Sequence, residues 1–299
     1  MKNDKLVGLI GLGNAGRALA TPLLEQYNIL AYDRNPARLD AFTQMGGQAA
    51  ANVREIAERC EIILLSLHTP QASRAVVEEL ASADLQNRLI IETSTVAPSD
   101  IEWMANFLQP LGASLIDSAI VGGIQRLAAG NTTFLVGASS SDYERARPIL
   151  ELAAEEIFYL GDIGSGMRAK LVNNAVAHTT MVMLIEGAAL ARKAGVPLNV
   201  FYTLMKKESG LTRPLTHRFG ERIRNQNFEG GMPTDNARKD SALILDLAYE
   251  LGVPVFTMQA SHTVYDIAQA SGLGQQDYAS ISKLWEQWLG ISLEYGDDD

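Results

Sequence analysis

Gly11-Leu12-Gly13-Asn14-Ala15-Gly16 spells G-x-G-x-x-G directly after a short apolar run at residues 6–10. In that setting each glycine answers a separate demand of dinucleotide binding: a tight turn, backbone approach to a pyrophosphate, and close packing of helix on strand. The helix that opens at the motif offers free N–H groups and its positive dipole end to phosphates. All six residues, Gly11, Leu12, Gly13, Asn14, Ala15 and Gly16, are therefore read as cofactor-binding. Asp33 closes the next apolar run, about 20 residues on, where the fingerprint places its acid. Its carboxylate can accept from both adenosine ribose hydroxyls and repels a 2′-phosphate, which favours NAD. Arg34 pulls the other way, because a guanidinium there pairs with that phosphate, so NADP stays open. Far along the chain, Lys170 and Asn174 stand four residues apart in a helical pattern and share one face. Hydride loss from a carbinol carbon requires a group that takes the hydroxyl proton. A lysine whose pKa is lowered by a dry pocket does this near neutral pH.

Such groups must be carried by a rigid frame, and the chain supplies one. Apolar runs at 6–10, 29–32, 62–67, 89–91, 114–116 and 133–136 read as strands. Several are apolar throughout, as strands covered on both faces are. Helical patterns at 36–45, 72–81 and 98–108 alternate with them, which predicts a mostly parallel, doubly wound α/β sheet over residues 1–163. Pro22 falls inside the first helix and is expected to kink it. From 164 the rhythm changes. A pattern without proline runs over 166–194, about 43 Å of helix, and ends at Gly195-Val196-Pro197. Shorter helices are expected at 199–208, 235–251 and 257–270. The second domain, 164–299, thus reads as all-α, with 164–195 as an interdomain helix and the acidic tail 296–299 frayed.

Composition narrows the function. The 299 residues are 47% hydrophobic and 20% charged, as in an ordinary globular chain. A formal charge of −10, with no long basic run, argues against nucleic acid as a partner. No stretch reaches the roughly 18 apolar residues of a membrane helix, and residues 6–10 are too few for a signal-peptide core, so a cytoplasmic location is expected. The single cysteine, Cys60, cannot close an internal disulfide. His68, His178, His217 and His262 lack ligand spacing, so no metal site is expected.

Three more stretches bear on identity: Glu92-Thr93-Ser94-Thr95, Asp117-Ser118-Ala119-Ile120-Val121-Gly122-Gly123, and Gly164-Ser165-Gly166-Met167-Arg168-Ala169-Lys170-Leu171-Val172-Asn173-Asn174. With the glycine motif and the late Lys239-Asp240, they make the sequence resemble the β-hydroxyacid dehydrogenase family over essentially the whole chain. The resemblance implies an N-terminal Rossmann domain, a long interdomain helix, a helical C-terminal domain, and reversible NAD(P)-linked oxidation of a small hydroxy acid to its semialdehyde. It implies Lys170 as catalytic acid/base and Asn174 as the residue that orients the substrate. Thr95 is implied beside the nicotinamide ribose, and Lys239 at the nicotinamide end of the cofactor. Leu67 and His68 stand where the family has a Leu-Pro pair. Val121 replaces the family's carboxylate-binding serine. Gly122 and Gly123 remain to cradle an anion, with Arg126 and Arg168 as candidate anion partners. Two rival readings are kept: an imine reductase on the same fold, and a non-catalytic dinucleotide-binding protein that offers a partner surface. A homodimer or homotetramer is expected.

Overall fold

The computed structural model describes residues 3–207 and 210–296. The last residue of the helix expected over 199–208, and 297–299 of the tail, lie outside them. The chain divides into compact units 1–175 and 176–299. The division falls within the long helix, past the expected boundary at 163.

The first unit holds strands β1 (Asn3–Ile10), β2 (Tyr27–Tyr32), β3 (Gln48–Ala49), β4 (Ile62–Leu65), β5 (Leu89–Glu92), β6 (Ser114–Val121), β7 (Thr132–Gly137) and β8 (Ala154–Tyr159). They form one sheet in the order β3-β2-β1-β4-β5-β6-β7-β8. Every pairing is parallel except β6 with β7. The order reverses at β1: the chain first builds outward through β2, then returns to add β4 on the other side. The crevice above the carboxyl ends of β1 and β4 is the place where open α/β sheets bind ligands.

Helices α1 (Asn14–Gln26), α2 (Pro36–Gln44), α3 (Val53–Arg59), α4 (Pro70–Leu80), α5 (Pro98–Leu108), α6 (Gly123–Ala128) and α7 (Ser140–Leu150) wrap the sheet. Strand alternation sorts its side chains into two cores. Leu64, Leu89 and Ile91 pack with Leu19 and Leu23 of α1 and Ile149 of α7. Ile63, Leu65 and Ile90 pack with Ile56 of α3, Val77 of α4 and Met104 of α5. Pro22 lies inside α1, whose helical span is unbroken from Asn14 to Gln26.

Two strands escape the apolar-run criterion. β3 has only two residues, and β8 (AEEIFY) is a half-exposed edge strand with two glutamates. Charges on an edge discourage further pairing and hide the strand from a hydrophobicity scan. β6 also runs on to Val121 rather than stopping at 116, because Asp117 and Ser118 continue the strand although they are polar and buried.

Helix α8 (Ser165–Lys193) leaves the sheet and enters the second unit. There α9 (Leu198–Lys206), a π-helix (Pro214–Ile223), α10 (Thr234–Leu251), α11 (Phe256–Ala270) and α12 (Ser282–Leu289) follow. A small core gathers on Ala268, Leu273 and Leu284, and buried Asp277 meets Arg218 and Arg222. No helix among the described residues is long and apolar enough to cross a membrane.

Candidate active site

The glycine loop sits on the strand-order switch. Gly11 has φ +99°, and a Cβ there would lie 2.2 Å from the Ser66 carbonyl oxygen. A Cβ on Gly16 would lie 2.0 Å from the Gly11 carbonyl oxygen, so α1 can approach β1 this closely only with glycine. At Gly13 the same test meets open space. Gly13 is also the N-cap of α1 and supplies no side-chain cap, whereas Asn35, Asn52, Thr69 and Ser139 cap α2, α3, α4 and α7. The first-turn N–H groups at Asn14, Ala15 and Gly16 are therefore left without a capping side chain, as at helix starts that take an anion.

Asp33 is fixed by the loop it serves. Its Oδ2 accepts from the Leu12 N–H at 2.8 Å, its Oδ1 from the Asn35 N–H at 2.8 Å, and Arg38 Nη1 stands 3.3 Å from Oδ2. Oδ2 thus already accepts two bonds, whereas Oδ1 keeps a lone pair for a ribose hydroxyl. Asp33, Arg34 and Arg38 line a cavity of about 180 Å³, with Gly11, Leu67 and His68 in the same wall. Open room at Gly13, an uncapped helix start and a positioned acid beside this cavity fit a dinucleotide.

A second cavity, of about 380 Å³, brings together Ala15, the loop after β4 (Leu67, His68), the loop after β5 (Thr93, Ser94, Thr95), Ile120, Gly122, Gly123, Ile124 and Lys170. Its walls are tied together from below. Thr93 Oγ1 donates to the Leu65 carbonyl at 2.6 Å, and the Leu67 N–H donates to Ser94 Oγ at 2.7 Å. Lys170 reaches this space because Asp117 pins the start of α8: its Oδ1 accepts from the Gly164 N–H at 2.6 Å and its Oδ2 from the Met167 N–H at 2.7 Å. The fully buried carboxylate thus caps the positive end of the helix that carries the lysine. Burial lowers the Lys170 pKa and raises that of Asp117.

Not every expected residue meets in this wall. Val121 does not line the cavity, whereas its neighbour Ile120 does; successive side chains of a strand point to opposite faces. Asn174 lies one turn beyond Lys170, its Oδ1 accepting from Asn173 Nδ2 at 3.4 Å, and is outside the wall. Arg126 is held elsewhere, donating to the Asn131 carbonyl at 2.9 Å and pairing with Glu155. Arg168 is exposed, with Nη1 3.9 Å from Glu102. Lys239 belongs to the second unit, exposed on α10, with Nζ 3.0 Å from Asp240 Oδ1. Among the described residues no cluster of His, Cys, Asp or Glu could hold a metal ion. Sequence reasoning gave no role to Asp117, Ser94 or Ile120. The signal for the first was a lone acid inside the otherwise strand-like Ser114–Val121.

Comparison with known proteins adds an independent line. A family model described as the NAD binding domain of 6-phosphogluconate dehydrogenase matches residues 6–161. Another, described as NAD-binding of NADP-dependent 3-hydroxyisobutyrate dehydrogenase, matches residues 164–285. The chain is 30% identical to 2-(hydroxymethyl)glutarate dehydrogenase of Eubacterium barkeri, over 99% of this chain and 100% of that one. It is 27% identical to the mitochondrial 3-hydroxyisobutyrate dehydrogenase of Mus musculus, over 94% of this chain and 87% of that one. In three dimensions it resembles an imine reductase from Pseudomonas sp., with a TM-score of 0.87 and 24% identity over 95% of this chain and 100% of that one. At that identity the likeness speaks for the architecture alone.

Proposed function

The chain belongs to the β-hydroxyacid dehydrogenase family, and from that premise we propose that Lys170 is the acid/base of its reaction, the transfer of a hydride between NAD(P) and the CH–OH or C=O carbon of a small hydroxy acid or its semialdehyde. The observation that carries this reading is the shared cavity: a lysine whose pKa burial lowers faces the loops that follow β4 and β5. The dinucleotide, when bound, gives or accepts the hydride. In the oxidative direction neutral Lys170 Nζ takes the hydroxyl proton as the carbon loses hydride. In the reductive direction the protonated amine returns that proton to the carbonyl oxygen. Desolvation enlarges the neutral fraction and brings the lysine toward the pH at which a base works best. Asn174, one turn further along the face, is assigned to orient the substrate, Thr95 to sit beside the nicotinamide ribose, and Leu67 and His68 to contact the cofactor.

The wall beside Lys170 also speaks to the substrate. Ile120, Ile124 and Leu127 are apolar, so we assign this side to an alkyl substituent next to the reacting carbon. The N–H groups of Gly122 and Gly123 are left for the acid. Asp33, held by two backbone N–H groups, supports a preference for NAD over NADP. Exposed apolar side chains along α8, among them Val176, Met181 and Ile185, support self-association into a dimer or tetramer, which sedimentation would read directly.

Lys170→Ala tests the central assignment. It should lower kcat by about 10²-fold or more, the usual contribution of a positioned acid/base, and leave dinucleotide affinity near wild type. In the wild type, oxidation should rise with pH through an apparent pKa below the usual lysine value. Near-normal turnover in the variant overturns the assignment.

A further inference from the structure

Glu92 is the last residue of β5 and is fully buried, yet nothing in the acid/base chemistry uses it. Its Oε1 accepts from the Ser94 N–H at 2.8 Å, and Ser94 Oγ in turn accepts from the Leu67 N–H at 2.7 Å. One carboxylate therefore stands behind both loops that face Lys170. Its other oxygen, Oε2, is buried without a hydrogen-bond partner, and so is the hydroxyl of Ser73 on α4. A buried polar atom left unpaired is costly and calls for a reason.

We infer that Glu92 is a positioning residue for the hydride-transfer site, holding the loop after β4 to the loop after β5 through Ser94, and holding them more tightly as a carboxylate than as a neutral acid. The physical ground is that a hydrogen bond from an N–H to an ionised acceptor is about twice as strong as one to a neutral acceptor. Three sets of groups act on Glu92. On its own loop there is Ser94. From α4 comes Ser73. From β6 comes Asp117, its register partner across the parallel pair, which is itself approached by Arg168 of α8. Asp117 receives two backbone N–H groups and Glu92 only one, so of the two neighbouring carboxylates Glu92 is the one that takes up a proton. Burial pushes its pKa up to about 7, with a smaller contribution from Asp117, against the lowering effect of Ser94 and of the nearby Ser73 hydroxyl. The loops are thus firm above neutral pH and looser below it.

This inference rests on the Lys170 cavity being the reaction site, but its test reads loop order and binding rather than turnover. In the protein without dinucleotide, hydrogen-exchange protection of the Leu67 and Ser94 amides, corrected for intrinsic rates, should fall from pH 8 to pH 6. NADH affinity measured by fluorescence should weaken by about five-fold over the same range, the difference between a charge-assisted and a neutral hydrogen bond. Glu92→Gln keeps an oxygen for the Ser94 N–H but does not titrate, so both responses should become flat. Wild-type protection that does not change with pH overturns the inference, as does a Glu92→Gln protein that keeps the wild-type response. Ser94→Ala provides a check should the glutamine variant fail to fold. It should abolish the pH response at Leu67 while the amide at position 94 still follows Glu92, and a Leu67 response that survives overturns the relay. A Lys170→Ala protein of normal activity that retains both pH responses would sink the catalytic assignment and leave Glu92's tie between the loops standing.

Discussion

Replacing Asp117 with asparagine tests how far the position of Lys170 depends on a single buried carboxylate. The two bonds that Asp117 accepts, from Gly164 and Met167 at 2.6 and 2.7 Å, are charge-assisted and fully buried. Bonds to a charged group contribute about 1.5–3 kcal/mol each. Asparagine keeps one acceptor oxygen and turns an NH₂ toward the other N–H, so one bond is lost, the second is weakened, and a buried donor is left unpaired at a further cost of about 1–3 kcal/mol. The carboxylate's own burial is unfavourable, as its raised pKa records, and removing that charge returns part of the loss. The expected net destabilisation is about 3 kcal/mol. The first turn of α8 should shift with it, and a displacement of about 1 Å at the lysine would cost on the order of 10²-fold in kcat. Urea unfolding, read separately by probes in each unit, gives the first quantity, and steady-state turnover at saturating dinucleotide gives the second. A variant within about 1 kcal/mol of wild type and of unchanged kcat would refute the idea that this carboxylate sets the lysine's place.

Two further outcomes follow from the site. Wild-type kcat/KM with NAD should exceed that with NADP, and Asp33→Ala should narrow the gap while also freeing the Leu12 N–H; equal or better wild-type kinetics with NADP would put Arg34 and Arg38 in control. Across a panel of three- and four-carbon hydroxy acids, Ile120→Ser should change KM ratios by several-fold and Val121→Ser by little, since only the first side chain lines the cavity; the reverse result would place Val121 against the substrate.

The parts of this arrangement that were legible from the sequence are those where local geometry dictates residue type. The glycine loop, Asp33 and the lysine helix could be found because tight turns, a strand-end acid and a proline-free helical period leave marks in the residues themselves. What was hidden depends on tertiary pairing. Glu155 and Glu156 conceal β8, and without β8 nothing reveals that Arg126 is spent on Glu155 rather than on a substrate anion. The strand ending expected at 116 stopped short because Asp117 looks like a break; only the fold shows that it receives the helix start. Val121 and Ile120 differ by one residue and therefore by a whole face of the sheet, a distinction that alignment to a family motif does not carry.

The start of α8 is pressed hard into the first unit. A Cβ on Gly166 would lie 2.3 Å from the Leu135 carbonyl oxygen and 2.9 Å from Asp117 Oδ2, so there is no slack in which this end of the helix could slide. Lys170 comes four residues later, still before the division between Ala175 and Val176. Lys170 is thus bolted to the same chassis as the glycine loop. Any swing or bend of the helix past Ala175 leaves the relation of Lys170 to the glycine loop untouched, because both are fixed within the first unit.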